Sequence, residues 1–377
     1  MKIDIFELER TQSLWENTVD YNLTETGLHP FTIEELLSGE EIEQLLAIRM
    51  GYGQTNGTVA LREAISRMYP ATDCDNVLVT SGSAEANFVA MWTLLEPGDE
   101  LVLMLPNYMQ LWGVARAFGM KVSPFTLKEE LNWQPDLAEL EAIVTPATKV
   151  IAVCNPNNPT GSVLSESAMA AIIRLAAKTG AWVYADEIYR GAELNGRETP
   201  TFLGRYEKVM VCGGLSKAYA LPGLRIGWLV GPQQQIAEGW ARRDYTSIAT
   251  AILSNHIATL ALQPKVRAKI LQRNRKILSE NLKILSDWVG KHRTLFHFIP
   301  PQAGGMAFLK YDLNLDSTEL STRLRMEKST LIVAGDCFGM DHRVRIGIGA
   351  QRDYLLAGLA RFDEFLSGIR APEGRSD

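Results

Sequence analysis

The chemistry-bearing stretch of this chain is Gly213-Gly214-Leu215-Ser216-Lys217-Ala218-Tyr219-Ala220-Leu221-Pro222-Gly223-Leu224-Arg225-Ile226-Gly227-Trp228. It carries one lysine among small residues, with an arginine eight positions on. A lysine that forms a Schiff base needs uncrowded space over its amine. An arginine suits a planar, bidentate grip on a phosphate better than lysine's point charge does. A glycine-rich loop on a solvated surface would also carry such a lysine, so the weight of the stretch depends on what accompanies it.

Four other polar clusters share its setting. Val77–Thr80 is a short apolar run that stops at Ser81-Gly82-Ser83-Ala84, where a helix begins. Strand, small-residue turn and helix aim free backbone N–H groups at an anion. Glu100–Leu105 ends in Pro106-Asn107-Tyr108, and Val150–Cys154 ends in Asn155-Pro156-Asn157-Asn158-Pro159-Thr160-Gly161. Trp182–Ala185 runs into Asp186-Glu187-Ile188-Tyr189, and Val209–Cys212 delivers Lys217. Runs as continuously apolar as Val150–Cys154 belong to strands buried on both faces. Helices alternate with them, as Ser165 to Gly180 does, which predicts an α/β fold: a mostly parallel sheet with helices on both faces. Such sheets bind ligands outside the carboxyl ends of their strands, where Ser83, Tyr108, Asn158, Asp186 and Lys217 all fall. A buried aspartate there calls for a cationic partner.

The composition excludes several classes. The chain has 377 residues, 46% hydrophobic and 22% charged, with a net charge of −6. That is an ordinary globular balance, and it argues against nucleic acid or a polybasic membrane surface as partners. The cysteines Cys74, Cys154, Cys212 and Cys337 are far apart, which favours free thiols over disulfides or a metal site. Neither a signal-peptide core nor a membrane-length run is legible, so a cytoplasmic location is expected. Residues 1–45 read as an arm and part of a small domain, 46–255 as the large domain, and 256–377 as a smaller α+β domain. The last of these holds a long helix from Pro264 to Val289, stopped by Gly290, and short strands at Phe296–Phe298, Gly305–Lys310 and Arg343–Ile346. Ala371–Asp377 reads as a frayed tail.

Together, Asn155–Gly161, Asp186–Tyr189 and Ser216-Lys217 with Pro222–Trp228 resemble the class I/II aminotransferases of fold-type I, over nearly the whole chain. The resemblance implies a seven-stranded-type sheet and pyridoxal 5'-phosphate as cofactor. It implies that Lys217 forms the aldimine, Asp186 faces the pyridinium nitrogen, and Tyr189 and Asn158 bind the phenolate oxygen. Tyr108 would stack on the ring, and Ser83, Ala84, Ser216 and Arg225 would hold the phosphate. Tyr52 resembles the tyrosine that reaches the phosphate of a neighbouring subunit, which implies a homodimer with shared active sites. The substrate would meet Arg345, through its α-carboxylate, and Asn158, with Arg343 a competitor of Arg345 on the same strand face. The implied reaction moves the amino group of an L-amino acid to a 2-oxo acid through pyridoxamine phosphate.

The chain departs from the family pattern at Ala334, where proline is usual, and at two further places. Gly214 stands three residues before the lysine, where a hydroxyl residue is common, and Asn22–His29 replaces a segment that often touches substrate. Glu25, Thr26 and His29 could give the pocket an unusual polarity. A lyase or cyclase acting on a functionalised amino acid is therefore the alternative, because the same cofactor chemistry can end in elimination, replacement or cyclisation. A regulator that uses this fold as its effector domain is a third reading. It would need a helix-turn-helix, and none fits ahead of Tyr52.

Overall fold

The computed structural model describes residues 2–370. The tail expected at Ala371–Asp377 lies outside them. In chain order the strands are β1 (Tyr21–Asn22), β2 (Val77–Thr80), β3 (Glu100–Leu105), β4 (Lys121–Lys128), β5 (Gln134–Pro135), β6 (Thr148–Cys154) and β7 (Trp182–Asp186). They continue with β8 (Val209–Gly214), β9 (Gly227–Val230), β10 (Phe296–His297), β11 (Met306–Tyr311), β12 (Thr330–Leu331), β13 (Val333–Ala334) and β14 (Arg343–Gly347).

The large sheet has the order β2-β9-β8-β7-β6-β3-β4-β5. From β8 to β4 every pairing is parallel. β9 runs antiparallel to both β8 and β2, so β2 points the same way as the parallel set. The strands from β2 to β4 in that order form the seven-stranded-type sheet that the resemblance implies, and β5 adds a two-residue antiparallel edge. β4 was not legible, because Pro124 interrupts its apolar pattern. Proline is tolerated where a strand's N–H side is unpaired, and β5 reaches only Leu127 and Lys128, leaving Pro124 on the open edge.

Period-two alternation distributes each strand between two apolar layers. Val102, Met104, Ile151, Val153, Val209 and Val211 enter one core. There they meet Met169, Ile172 and Leu175 of the helix Glu166–Thr179. Leu101, Leu103, Val150, Ala152, Met210 and Cys212 enter the other, against Val89, Ala90 and Met91 of the helix Ser83–Leu94. Both faces are covered, so the carboxyl-end edge is where polar groups can meet a ligand.

A smaller antiparallel sheet has the order β10-β11-β14-β13, and β1 pairs in parallel with β12 as a separate ribbon. The long helix spans Pro264–Lys291, with Leu271, Leu278, Leu285 and Val289 buried. Gly290 lies within its last turn and does not stop it. All four cysteines are free, with Cys154 and Cys212 buried. Among the described residues no helix is long and apolar enough to cross a membrane.

Candidate active site

A cavity of about 350 Å³ opens at the carboxyl ends of the parallel strands. Its lining includes Lys217, Asp186, Tyr189, Asn158, Tyr108, Ser83, Ala84, Ser216, Arg225 and Arg345. Tyr52, by contrast, is 93% exposed and stands outside the cavity of its own chain.

Asp186 ends β7, where the parallel ladder on both sides buries it to 6% exposure. Burial holds its carboxyl above the ordinary range, offset by donors from the Ile188 N–H at 3.0 Å and Asn87 Nδ2 at 3.2 Å. Asn87 is aimed by Tyr184, whose hydroxyl donates to its Oδ1 at 2.5 Å. Among the described residues Asp186 has no ion-pair partner, so a positive group in the cavity would fill the role that burial leaves open.

The anion cradle depends on two glycines. Gly82, with φ +84°, precedes the helix Ser83–Leu94, and a Cβ there would lie 2.4 Å from Arg225 Nη2. A Cβ on Gly227 would lie 2.5 Å from the Ser83 nitrogen. Only bare backbone lets β9 pass this close and carry Arg225 beside the helix N-terminus. Arg225 Nη1 also reaches Ser216 Oγ at 3.4 Å. Lys217 follows β8 by three residues, and its Nζ lies 3.7 Å from Glu25 Oε2.

Arg345 sits on β14, 2% exposed, and donates through Nη1 to Asn158 Oδ1 at 2.9 Å and through Nη2 to the Thr24 carbonyl at 2.8 Å. Its Nε has no partner. Burial holds the guanidinium below its ordinary pKa. Arg343 lies two residues up the same face but is paired with Glu129 and stacked over Trp133. It does not line the cavity. Tyr189 is 2% exposed, shares a 2.7 Å hydrogen bond with Thr26 Oγ1, and has its phenol pushed up by burial. The Tyr108 hydroxyl donates to Glu9 Oε1 at 2.7 Å.

Glu25 and Thr26 do line the cavity, but His29 does not; it contacts Gln351 at a different surface depression. Sequence reasoning missed Asn87 and the helix Glu7–Trp15, which with its C-cap Glu16 brings Glu9, Gln12 and Glu16 to the wall. The i, i+3, i+7 spacing of those three was the available signal. Arg190, Arg242 and Arg243 point elsewhere: Arg190 pairs with Glu198, Arg242 with the Trp92 carbonyl, and Arg243 with Glu85. Gly214 is explained by packing, since its Cβ would lie 2.9 Å from Ile188 Cδ1 and 3.1 Å from the Ile226 carbonyl.

A mostly parallel sheet with an anion cradle, a lysine and an uncompensated buried aspartate at its carboxyl edge defines a fold-type I pyridoxal-phosphate protein. The chain belongs to the aminotransferase class I and II family, whose model matches residues 29–361. The cofactor of that family is pyridoxal 5'-phosphate, and the cradle, Asp186 and Lys217 fit its phosphate, ring nitrogen and aldehyde respectively. The chain is 30% identical over 352 residues to capreomycidine synthase of Streptomyces vinaceus, covering 92% of this chain and 89% of that one. It superposes on a PLP-dependent aminotransferase from Streptococcus suis with a TM-score of 0.92 at 31% identity, covering 98% and 100%. The PLP-dependent cyclase OrfR matches with a TM-score of 0.90 at 27% identity, covering 98% of each chain.

Proposed function

We propose that this protein is an aminotransferase that moves the amino group of an L-amino acid to a 2-oxo acid, with Lys217 as its reacting lysine. The observation that carries the reading is the convergence of Lys217, Asp186 and Arg345 on one cavity. When bound, pyridoxal 5'-phosphate supplies an aldehyde for amine exchange and an electron-withdrawing ring that acidifies the substrate's α-proton.

The chain's own residues do the rest. Arg225, Ser216 and the N–H groups at Ser83 and Ala84 hold the phosphate. The Asp186 carboxylate keeps a positive charge on the ring nitrogen, with Asn87 fixing its orientation. Tyr189 and Asn158 hold the phenolate oxygen, and Tyr108 covers the ring. Arg345 grips the α-carboxylate, which positions the α-proton for transfer to Lys217 Nζ. Tyr52 completes the phosphate site of a partner subunit, so the working unit is a homodimer, and its location is cytoplasmic.

A lyase or cyclase is the second reading. It is favoured by the likeness to capreomycidine synthase and to the cyclase OrfR. Incubating the holoenzyme with single L-amino acids, without oxo acid, separates the two. Transamination releases one equivalent of 2-oxo acid and leaves the amino group on the enzyme. A product that keeps its α-amino group, or continuous ammonia release, would overturn the aminotransferase reading in favour of the second. Lys217→Ala should lose both activities by at least about a thousandfold.

A further inference from the structure

The cavity holds more negative charge than the proposed chemistry uses. Glu9, Glu16 and Glu25 line it together with Asp186, facing the cations Lys217, Arg225 and Arg345. On the reading above, Asp186 meets the ring nitrogen, Arg225 the phosphate and Arg345 the α-carboxylate, while Lys217 is occupied as the reacting amine. The three glutamates are then left without counter-charge. Among the described residues Glu9 and Glu16 make no ion pair, and the ion pair of Glu25 is to Lys217 itself.

The carboxylates are arranged, not scattered. Glu9 and Glu16 share one face of the N-terminal helical segment with Gln12, whose Nε2 donates to Glu25 Oε1 at 3.4 Å. Glu16 has its carboxyl pushed up by burial and then by Glu25 and Glu9, which places all three in one field. No group of three or more metal-ligating side chains is close enough to hold an ion among the described residues. Independently, the Nε of Arg345, on a side chain 2% exposed, has no partner in the same cavity. The cavity therefore offers a positive group for a carboxylate and a negative wall for something else.

We propose that the amino acid handled here carries a cationic side chain, an amine or a guanidinium, held by Glu9, Glu16 and Glu25 while Arg345 takes its α-carboxylate. This rests on the pyridoxal-phosphate reading and adds the substrate class. At about 350 Å³ the space is within the range of small-molecule sites. A dicarboxylate would place its second charge among the glutamates and be rejected.

The test titrates the holoenzyme with L-arginine, L-lysine, L-citrulline, L-norleucine and L-glutamate, reading Kd by calorimetry and by the cofactor's absorbance. Arginine should bind at least about tenfold tighter than citrulline, equivalent to about 1.4 kcal/mol, and the gap should narrow as salt rises. The double variant Glu9→Gln/Glu16→Gln should bring arginine to the level of citrulline. If that variant does not fold, Glu16→Gln alone and the salt series carry the test. Equal binding of arginine and citrulline, or tightest binding of glutamate, overturns the proposal. A cofactor band that responds alike to every amino acid sinks only the cationic pocket. A protein that takes up no cofactor sinks the pyridoxal-phosphate reading beneath it.

Discussion

Arg345 Nη1 donates to Asn158 Oδ1 at 2.9 Å, tying the small antiparallel sheet to the loop after β6. The same guanidinium reaches the Thr24 carbonyl, so one side chain joins three segments that are remote in sequence. Two of its nitrogens are used in this way, and the buried Nε has no partner.

Arg345→Lys should therefore raise KM for the amino acid while leaving cofactor absorbance intact. Loss of a charged hydrogen bond is worth about 1.5–3 kcal/mol, or about a 10- to 150-fold loss in kcat/KM. Arg343→Lys should leave KM nearly unchanged, because Arg343 is engaged with Glu129 and Trp133. Steady-state kinetics on the two variants checks the assignment.

Asn87→Ala removes the 3.2 Å donor to Asp186 and leaves that carboxylate with the Ile188 N–H. The cofactor should dissociate at least about tenfold more readily, the cost of one charge-assisted hydrogen bond. Equilibrium dialysis against pyridoxal 5'-phosphate measures it. Unchanged retention would mean that Asn87 does not position Asp186.

Gly214→Ser tests whether a hydroxyl is missing from the cradle or excluded from it. With Ile188 Cδ1, the Ile226 carbonyl and Gly227 Cα all within 3.2 Å of the added Cβ, the variant should lose about 1–3 kcal/mol of stability through overpacking. It should not hold cofactor more tightly. Urea denaturation and cofactor titration on the same preparation read both effects.

Glu187 gives the fold a pH dependence. It is 3% exposed, its Oε2 has no partner, and burial pushes its carboxyl up to about 7, against the lowering effects of Arg190, the Phe202 N–H and Thr201. The native state thus binds a proton that the unfolded state has released, so stability falls as pH rises from the ordinary 4.5 towards 7. The full shift corresponds to about 3–4 kcal/mol at most. Glu187→Gln should flatten this slope, which urea midpoints at pH 5 and pH 8 would show.

The apolar runs at Val77–Thr80, Val150–Cys154 and Val209–Cys212 declared their strands, because a strand buried on both faces has no polar residues to blur its pattern. Their loops declared the polar edge, since a parallel sheet exposes its ligand groups at the carboxyl ends. Thus the fold class and the gathering of Lys217, Asp186 and Asn158 at one edge were legible in the chain alone, and the family resemblance added the cofactor. The sequence favoured Arg345 over Arg343, which shares its strand face; tertiary structure added that Arg345 lines the cavity while Arg343 is engaged by Glu129. Tertiary structure alone recruited Asn87 and the glutamates of the N-terminal helix, and removed His29. Those choices depend on which segments pack together across hundreds of residues, and local periodicity carries no information about that.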